Sequence, residues 1–179
     1  MRTYEIGIRR LEVQPTVVAD AALRSRRVAA WVPRAHDEVA WALAAVGHDP
    51  LGPPFARYGA TGRGRVAVEA GFPVAGAAAR ALERRPGVRP SSLPAGPAAV
   101  TEHVGSVDGV RSAHRALAVW LREHGWHPAG TPWEEYLTDA GPPVDTADPH
   151  ACGTPADTAG GRTLVVQPYR WWRYGGFPL

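Results

Sequence analysis

The stretch AHDEVAWALAAVGHDPLGPPFARY, residues 35–58, decides the fold, because the chain repeats it further on. Residues 113–136 read AHRALAVWLREHGWHPAGTPWEEY and align with it without a gap, at a constant offset of 78. Each copy has the pattern of a helix, a glycine stop, a Pro-Gly turn and a strand. The identical positions are Ala35/Ala113, His36/His114, Ala40/Ala118, Leu43/Leu121, Gly47/Gly125, Pro50/Pro128, Gly52/Gly130, Pro54/Pro132 and Tyr58/Tyr136. Function is expected where the two copies differ, above all at Ala56 and Glu134.

The composition is that of a folded protein, with 179 residues of which 45% are hydrophobic and 21% charged. This length fits one domain or two half-domains that share a core. The net charge of +3 is too small and too dispersed to indicate nucleic-acid binding by itself. All basic residues are arginine, which excludes lysine Schiff-base and P-loop chemistry and indicates a GC-rich, actinobacterial genome.

The chain also lacks the signals of export and of membrane insertion. No apolar run approaches the length of a membrane span, and the N-terminus has no secretory hydrophobic region. Cys152 is the only cysteine, so that no internal disulfide can form. The sequence therefore predicts a cytoplasmic protein with no membrane partner.

Hydrophobic spacing and turn residues predict the elements along the chain. Pro33 suits a first helical turn and Gly47 a C-terminal cap, which predicts a helix over residues 31–46. A second helix is predicted over residues 107–124, and residues 75–85 fit a short helix or an extended linker. Strands are predicted over residues 4–24 with an interruption at Pro15, and over 54–59, 65–74, 97–104, 131–137 and 163–167.

The repeat predicts an α+β fold. Each copy supplies a strand, a helix and two strands, which favours antiparallel pairing with the helices on one face of the sheet. Two such βαββ units related by a pseudo-twofold would form one antiparallel sheet with two main helices, and a central cleft where the halves meet would be a natural ligand site. We expect a single domain over residues 1–168, with repeats at about 10–75 and 90–168.

Two further segments, a loop and the C-terminal tail, lie outside the predicted helices and strands. Residues 139–162 are rich in Pro, Gly, Asp and Thr, which predicts a flexible loop. Residues 169–179, YRWWRYGGFPL, form an aromatic and basic tail that either folds back over the body or contacts a partner. Because exposed tryptophans are costly, we favour the fold-back.

The second half carries an ordered series of residues: His103-Val104-Gly105, Val110, Ala113, Leu117, Trp120-Leu121, Glu123, Gly125, Gly130, Glu134-x-Tyr136-Leu137 and Asp139. This series resembles the GyrI-like small-molecule-binding family, which includes effector-binding domains of multidrug-responsive transcription activators. Residues 68–74 and 163–168 resemble the family's segments that end each half, so that the resemblance covers about residues 10–168. Val107 replaces the family's aromatic residue and Ala140 its proline, and these departures bear on the shape of the cleft mouth.

The resemblance implies two βαββ units and a central cleft that takes hydrophobic, often cationic or aromatic, compounds. No DNA-binding segment precedes the domain, so a stand-alone binder for drug or toxin resistance or sensing is our first hypothesis. Some stand-alone members hydrolyse cyclopropane-bearing genotoxins, and a hydrolase of such a reactive electrophile is the alternative. A weaker third hypothesis is an interaction module for a protein such as gyrase, with the aromatic-basic tail as its contact.

Glu134 and Tyr136 are the leading candidates for the site. They alternate on one strand, so their side chains share a face, while Trp133 and Glu135 point to the other. The resemblance selects the face of Glu134 and Tyr136 as the cleft. A carboxylate there could receive a cationic ligand or act as a general acid or base; the alternative is a surface glutamate on an edge strand.

Four more residues are candidates for ligand binding. Glu69 interrupts an apolar strand and could be a second carboxylate that helps Glu134 activate water, or it could face solvent. Tyr58 mirrors Tyr136, so that both line the cleft or both are structural. Trp31 and Trp41 could supply aromatic walls, although Trp31 also fits a core position and Trp41 an exposed one.

The histidines are assigned structural roles. His36 and His114 are duplicated, which favours matched, partly buried positions near the helix starts, and His103 is expected to order the loop after its strand. Asp148, His150 and Cys152 lack the spacing of a tetrahedral metal site. The sequence therefore predicts no metal and no cofactor, and it has no GxSxG, Walker or GxGxxG motif.

Overall fold

A computed structural model of the protein describes residues 3–60, 64–106, 109–137 and 161–171. Three helices and nine strands are present in this part of the chain. In order they are β1 (Ile6–Leu11), β2 (Gln14–Arg24), α1 (Ser25–Ala45), β3 (Phe55–Ala60), β4 (Arg65–Pro73), α2 (Gly76–Ala81), β5 (Arg89–Leu93), β6 (Gly96–Val104), α3 (Val110–Glu123), β7 (Trp126–Pro128), β8 (Trp133–Leu137) and β9 (Arg162–Trp171). The long loop predicted before β9 lies almost wholly outside the described residues, as do residues 172–179 of the tail.

The strands form one antiparallel sheet, and equivalent strands of the two repeats lie at equal distances from its centre. That order is β1-β6-β9-β8-β3-β4-β2-β5, with β7 paired to the end of β9. β3 and β8 meet at the centre, and β4 and β9, β2 and β6, and β5 and β1 occupy equivalent places outward from them. The predicted tandem of βαββ units is therefore confirmed as β2-α1-β3-β4 and β6-α3-β8-β9.

The strand registers repeat along with the order. Phe55 faces Gly71 in the first unit, and its equivalent Trp133 faces Val166 in the second. Leu51 donates its backbone N–H to Pro73 O at 2.8 Å, and the equivalent Ala129 donates to Pro168 O at 2.8 Å. The two halves thus share their backbone hydrogen bonding as well as their sequence pattern.

Both helices pack on the same face of the sheet, each on its own half. α1 lies over β2 and β4, whereas α3 lies over β6, β7 and β9. The buried positions of α1 are Val32, Ala35, Val39, Ala42 and Leu43, and those of α3 are Val110, Ala113, Leu117 and Leu121. Since neither helix is centred on β3 or β8, those two strands form the floor between the helices.

The opposite face of the sheet carries a separate apolar core. Its buried members include Val18, Phe55, Leu93, Val100 and Trp133, which come from both halves and reach the edge strand β5. A sheet whose outer strands join one cluster on one face must curl toward that face, and the sheet is a half-barrel.

One glycine is required where β2 and β4 come together. A Cβ atom on Gly71 would lie 2.0 Å from the backbone oxygen of Val17, which is far inside van der Waals contact. Any side chain at residue 71 would push the two strands apart. This close approach explains the glycine in the otherwise apolar segment VEAGFPV.

The element boundaries depart from the sequence prediction in three places. α1 begins at Ser25 rather than at residue 31, so that Pro33 lies inside the helix, because Val28 and Trp31 add apolar contacts on the inward side one turn earlier. The short edge strands β5 and β7 were not predicted, since neither alternates clearly in hydrophobicity. β9 continues past Gln167 to Trp171, where it pairs with β7.

Among the described residues, no helix combines the length and the apolar character needed to cross a membrane.

Candidate functional site

Glu134 lies at the centre of the floor between the two helices. It sits on β8, directly opposite Ala56 of β3, and it is 7% exposed. Its Oε1 accepts a hydrogen bond from His114 Nε2 at 2.8 Å, and its Oε2 accepts one from the Tyr136 hydroxyl at 3.0 Å. Each carboxylate oxygen thus has a hydrogen-bond donor from the protein.

The two repeat-related tyrosines meet above the carboxylate. The hydroxyl oxygens of Tyr58 and Tyr136 are 2.7 Å apart. Because Tyr136 donates to Glu134, Tyr58 is left to donate to Tyr136, which gives a chain of hydrogen bonds that ends on the carboxylate. Of the two alternatives for these tyrosines, the structure favours shared positions in the site.

The ionisation of both tyrosines is suppressed here. Burial, and after it the charge of Glu134, raises the pKa of the Tyr58 hydroxyl above its usual value. Burial also raises the pKa of Tyr136, with further contributions from Tyr58 and Glu134. Both hydroxyls therefore remain protonated near neutral pH and remain available as hydrogen-bond donors.

The two duplicated histidines have different partners. His36 Nε2 lies 2.9 Å from the carbonyl oxygen of Phe55, which can only accept, so this nitrogen carries the proton. Burial lowers the pKa of His36. His114, at the equivalent place in the second repeat, reaches the Glu134 side chain instead. Both histidines are thus partly buried and hydrogen-bonded, but their partners differ because the carboxylate is present in only one copy.

Aromatic rings line the first-repeat side of the site. The ring of His36 makes edge contacts with both Phe72 and Tyr136, at centroid distances of 5.7 Å. Tyr58 and Tyr136 also pack against the apolar core beneath α1. Ring faces and edges beside a carboxylate form an environment suited to a flat or cationic organic molecule.

Glu69 does not join Glu134. It faces Arg57 across the β3–β4 ladder and lies on the opposite face of the sheet, where it forms ion pairs with Arg57 and Arg89. Arg89 also binds Asp20 at 2.6 Å. The prediction of a second carboxylate beside Glu134 is wrong, because strand alternation places neighbouring positions 69 and 70 on opposite faces and Ala70 is the one that shares the face of Glu134.

Trp41 lies away from Glu134. Trp41 is 73% exposed, and the Arg85 guanidinium lies 5.5 Å from the centre of its ring. It follows His36 by five residues, which on a helix turns it by about 140° from the side that faces the site. Trp31 is partly buried against the core under α1, in agreement with its core alternative.

Two other predictions about single residues can be compared with the structure. His103 lies 3.0 Å from the carbonyl oxygen of Ser106 through Nε2 and accepts the Tyr4 hydroxyl at 2.9 Å, and it therefore orders the loop after β6 as expected. Trp120 is only partly buried and packs against Trp126. Asp148, His150 and Cys152 lie outside the described residues.

Sequence reasoning missed His114 as part of the site. The available signal was that His114 lies on the helix before Glu134, in a repeat whose first copy has Ala56 in place of that acid. Nothing in the spacing of His114 and Glu134, however, showed that the two side chains meet. Among the described residues no group of three or more His, Cys, Asp or Glu side chains could hold a metal ion.

The fold recurs in solved structures of low sequence identity. The C-terminal domain of EcmrR matches 96% of this chain and all of its own length, with a TM-score of 0.65 and 14% identity. SAV2435 bound to tetraphenylphosphonium matches over 93% of this chain and 94% of its own, with a TM-score of 0.63 and 13% identity. Both proteins have the GyrI-like fold. This chain has the GyrI-like fold.

A third protein with the GyrI-like fold is named a hydrolase. This hydrolase from Listeria innocua matches 93% of this chain and 92% of its own, with a TM-score of 0.58 and 10% identity. Neither a protein-family model nor the sequence of a curated protein matches the chain. The GyrI-like architecture is thus established by structure, and the chemistry of this member has to be argued from its own residues.

Proposed function

We propose that this protein binds hydrophobic, aromatic or cationic small molecules over the floor formed by β3 and β8, and that it serves in drug or toxin resistance or sensing. Glu134 is the anchor for the positive charge of the ligand. The observation that carries the proposal is a single buried carboxylate, between two helices, whose ion-pair partner in the described part of the chain is a histidine.

The charge of Glu134 is not neutralised by a permanent cation. Among the described residues it has no ion pair with arginine, in contrast to Glu69 and Glu102, which do. A buried carboxylate that no arginine neutralises offers a field that a desolvated cation can use. A ligand that brings both a positive charge and apolar rings would gain this interaction along with burial of its own surface.

The aromatic residues supply the rest of the recognition. Tyr58, Tyr136, His36 and Phe72 surround the approach to the carboxylate, and none of them is charged in the state described above. The tetraphenylphosphonium bound to SAV2435 is a lipophilic cation of this type. The likeness in fold to that protein supports the class of ligand.

The test is calorimetric titration of the protein with tetraphenylphosphonium and with tetraphenylborate, which has nearly the same shape and the opposite charge. We expect tetraphenylphosphonium to bind and tetraphenylborate to bind far more weakly. Glu134→Gln should weaken tetraphenylphosphonium binding about tenfold or more, since about 1.4 kcal/mol of lost interaction corresponds to that factor. Glu83→Gln, at an exposed position in the turn after α2, is the matched control. Equal binding of the two ions, or unchanged affinity in Glu134→Gln, would refute the proposal.

A second candidate is hydrolysis of a strained-ring electrophile, and one feature of the site favours it. Tyr58, Tyr136, Glu134 and His114 form one continuous hydrogen-bonded chain. Such a chain could move a proton from an attacking water to a ring carbon as the ring opens. Mass spectrometry of a cyclopropane-bearing alkylator incubated with wild type and with Glu134→Gln tests this: a product one water heavier in wild type alone supports hydrolysis, and intact compound in both excludes it for that substrate.

A further inference from the structure

A second concave surface opens on the face of the sheet opposite Glu134. It is a groove of about 230 Å³ where the β1–β2 and β5–β6 connections approach β8. Leu11, Leu51, Leu93 and Trp133 supply apolar walls, and Glu12 and Glu135 supply carboxylates. Glu134 and Glu135 are consecutive on β8, so that their side chains leave the strand in opposite directions.

Glu135 has no ion pair within the described residues. Its cross-strand neighbours are Phe55 on β3 and Leu164 on β9, and neither carries a charge. Its repeat equivalent is Arg57, which is paired with Glu69. The second repeat therefore has a carboxylate where the first has an arginine paired with an acid. No cationic side chain lies directly across from Glu135 on either neighbouring strand.

The groove holds Glu135 in a defined position. Trp133 Nε1 donates to Glu135 Oε1 at 3.0 Å, and Trp133 is itself 2% exposed. This hydrogen bond engages one oxygen of the carboxylate. Glu12 is exposed at the rim and forms no ion pair within the described residues. Two carboxylates thus face an apolar groove, and none of the residues that line the groove is an arginine.

We propose that this groove is a second binding site, which takes a small organic cation. Low-dielectric walls concentrate the field of the two carboxylates in the groove, so a cation with an apolar surface would be complementary in both charge and hydrophobicity. The groove is smaller than a typical site for a drug-sized ligand. A quaternary ammonium head is of suitable size, and its methyl groups would contact Leu51, Leu93 and Trp133.

The site is independent of the one at Glu134. The two carboxylates leave β8 on opposite faces of the sheet, and the apolar clusters on those two faces are separate. Occupation of the groove would consequently not require the tyrosine pair or His114 to move. A ligand that binds in the groove would still be able to bind when the charge of Glu134 is removed.

The test uses choline and its uncharged carbon isostere 3,3-dimethylbutan-1-ol, observed through the assigned indole N–H signal of Trp133 in two-dimensional NMR of the full chain. That N–H contacts Glu135 directly and lies at the groove. We expect choline to shift the signal in a saturable way and the isostere to shift it little. Glu135→Gln keeps an acceptor for the indole but loses the charge, and should weaken choline binding about fivefold or more.

Glu134→Gln separates this proposal from the proposed function. The Trp133 shift caused by choline should keep its midpoint in Glu134→Gln, whatever happens to tetraphenylphosphonium binding. A Trp133 signal that does not respond to choline, an equal response to the uncharged isostere, unchanged choline affinity in Glu135→Gln, or loss of the response in Glu134→Gln would each overturn the second site.

Discussion

Ala56 and Glu134 face each other across the junction of β3 and β8, and they are the same position of the two repeats. A residue that pairs with its own repeat equivalent lies on the pseudo-twofold axis that relates the halves. The side chains around this point come in related pairs, Tyr58 with Tyr136 and His36 with His114. Glu134 alone has no equivalent acid in the other repeat, so the two halves differ at the centre of the sheet by one carboxylate.

Transferring the carboxylate from residue 134 to residue 56 should transfer cation binding to the equivalent position in the first repeat. Glu134→Ala should lose affinity for tetraphenylphosphonium about tenfold or more, for loss of the anion. The double variant Ala56→Glu/Glu134→Ala places an acid beside His36 in the equivalent position, and we expect it to recover part of that affinity in the same calorimetric titration. Recovery is expected to be incomplete, because Ala56 is fully buried and its surroundings are packed for a methyl group.

The single variant Ala56→Glu is the control for this experiment. Two carboxylates opposite one another on neighbouring strands repel, so this variant should unfold at a lower temperature than either wild type or the double variant. A double variant that folds with wild-type stability and shows no more affinity than Glu134→Ala would contradict the equivalence of the two positions.

Replacing Thr16 by valine should stabilise the protein. Thr16 is fully buried on β2, and its hydroxyl oxygen has no hydrogen-bond partner among the described residues. Valine has nearly the same shape without the buried hydroxyl, whose desolvation opposes folding. We expect Thr16→Val to raise the free energy of unfolding by about 1 kcal/mol, measured by urea denaturation. A loss of stability would show that the hydroxyl has a partner.

Thr101→Val is the contrasting variant. The Thr101 hydroxyl donates a hydrogen bond to Glu5 O at 2.6 Å, so its removal should lower the free energy of unfolding.

Replacing Gly71 by alanine should strongly destabilise the fold, although it adds only one methyl group. The new methyl group would meet the backbone of Val17, which cannot move without separating β2 from β4. We expect a loss of about 3 kcal/mol in the free energy of unfolding, at the upper end for overpacking. Gly59→Ala is the matched control, because the nearest heavy atom would be 3.8 Å away. Similar stabilities of the two variants in urea would contradict the proposed close approach.

His36 should make stability depend on pH. Its pKa is lowered in the folded protein by burial, while in the unfolded chain it takes up a proton near pH 6.5. As the pH falls through about 6.5, the unfolded state gains a proton that the folded state resists, so the free energy of unfolding decreases. The stability advantage of wild type over His36→Gln should be largest above pH 7 and should shrink below about pH 6.5.

Denaturation of both proteins across this range measures the effect, with His48→Gln as a second comparison at a histidine that follows α1. A difference between wild type and His36→Gln that stays constant from pH 8 to pH 5 would mean that the folded state protonates His36 as readily as the unfolded chain does.

The sequence by itself determined the elements that depend on local pattern. The repeat predicted the duplicated βαββ units, and Gly47 predicted where α1 ends. Strand alternation also showed that Glu134 and Tyr136 share a face. These features depend on neighbours within a few residues, and the periods of helix and strand record them directly.

Only the tertiary structure decided which distant residues meet. The sequence contained Glu69, Glu134 and His114, but their partners depend on the order of strands and on how α3 lies over the sheet. Strand order placed Glu69 opposite Arg57, on the face away from Glu134, and the position of α3 brought His114 to the carboxylate. Contacts between residues so far apart in the chain arise from packing of whole elements, and the free energy of that packing exceeds the local preferences that a sequence displays.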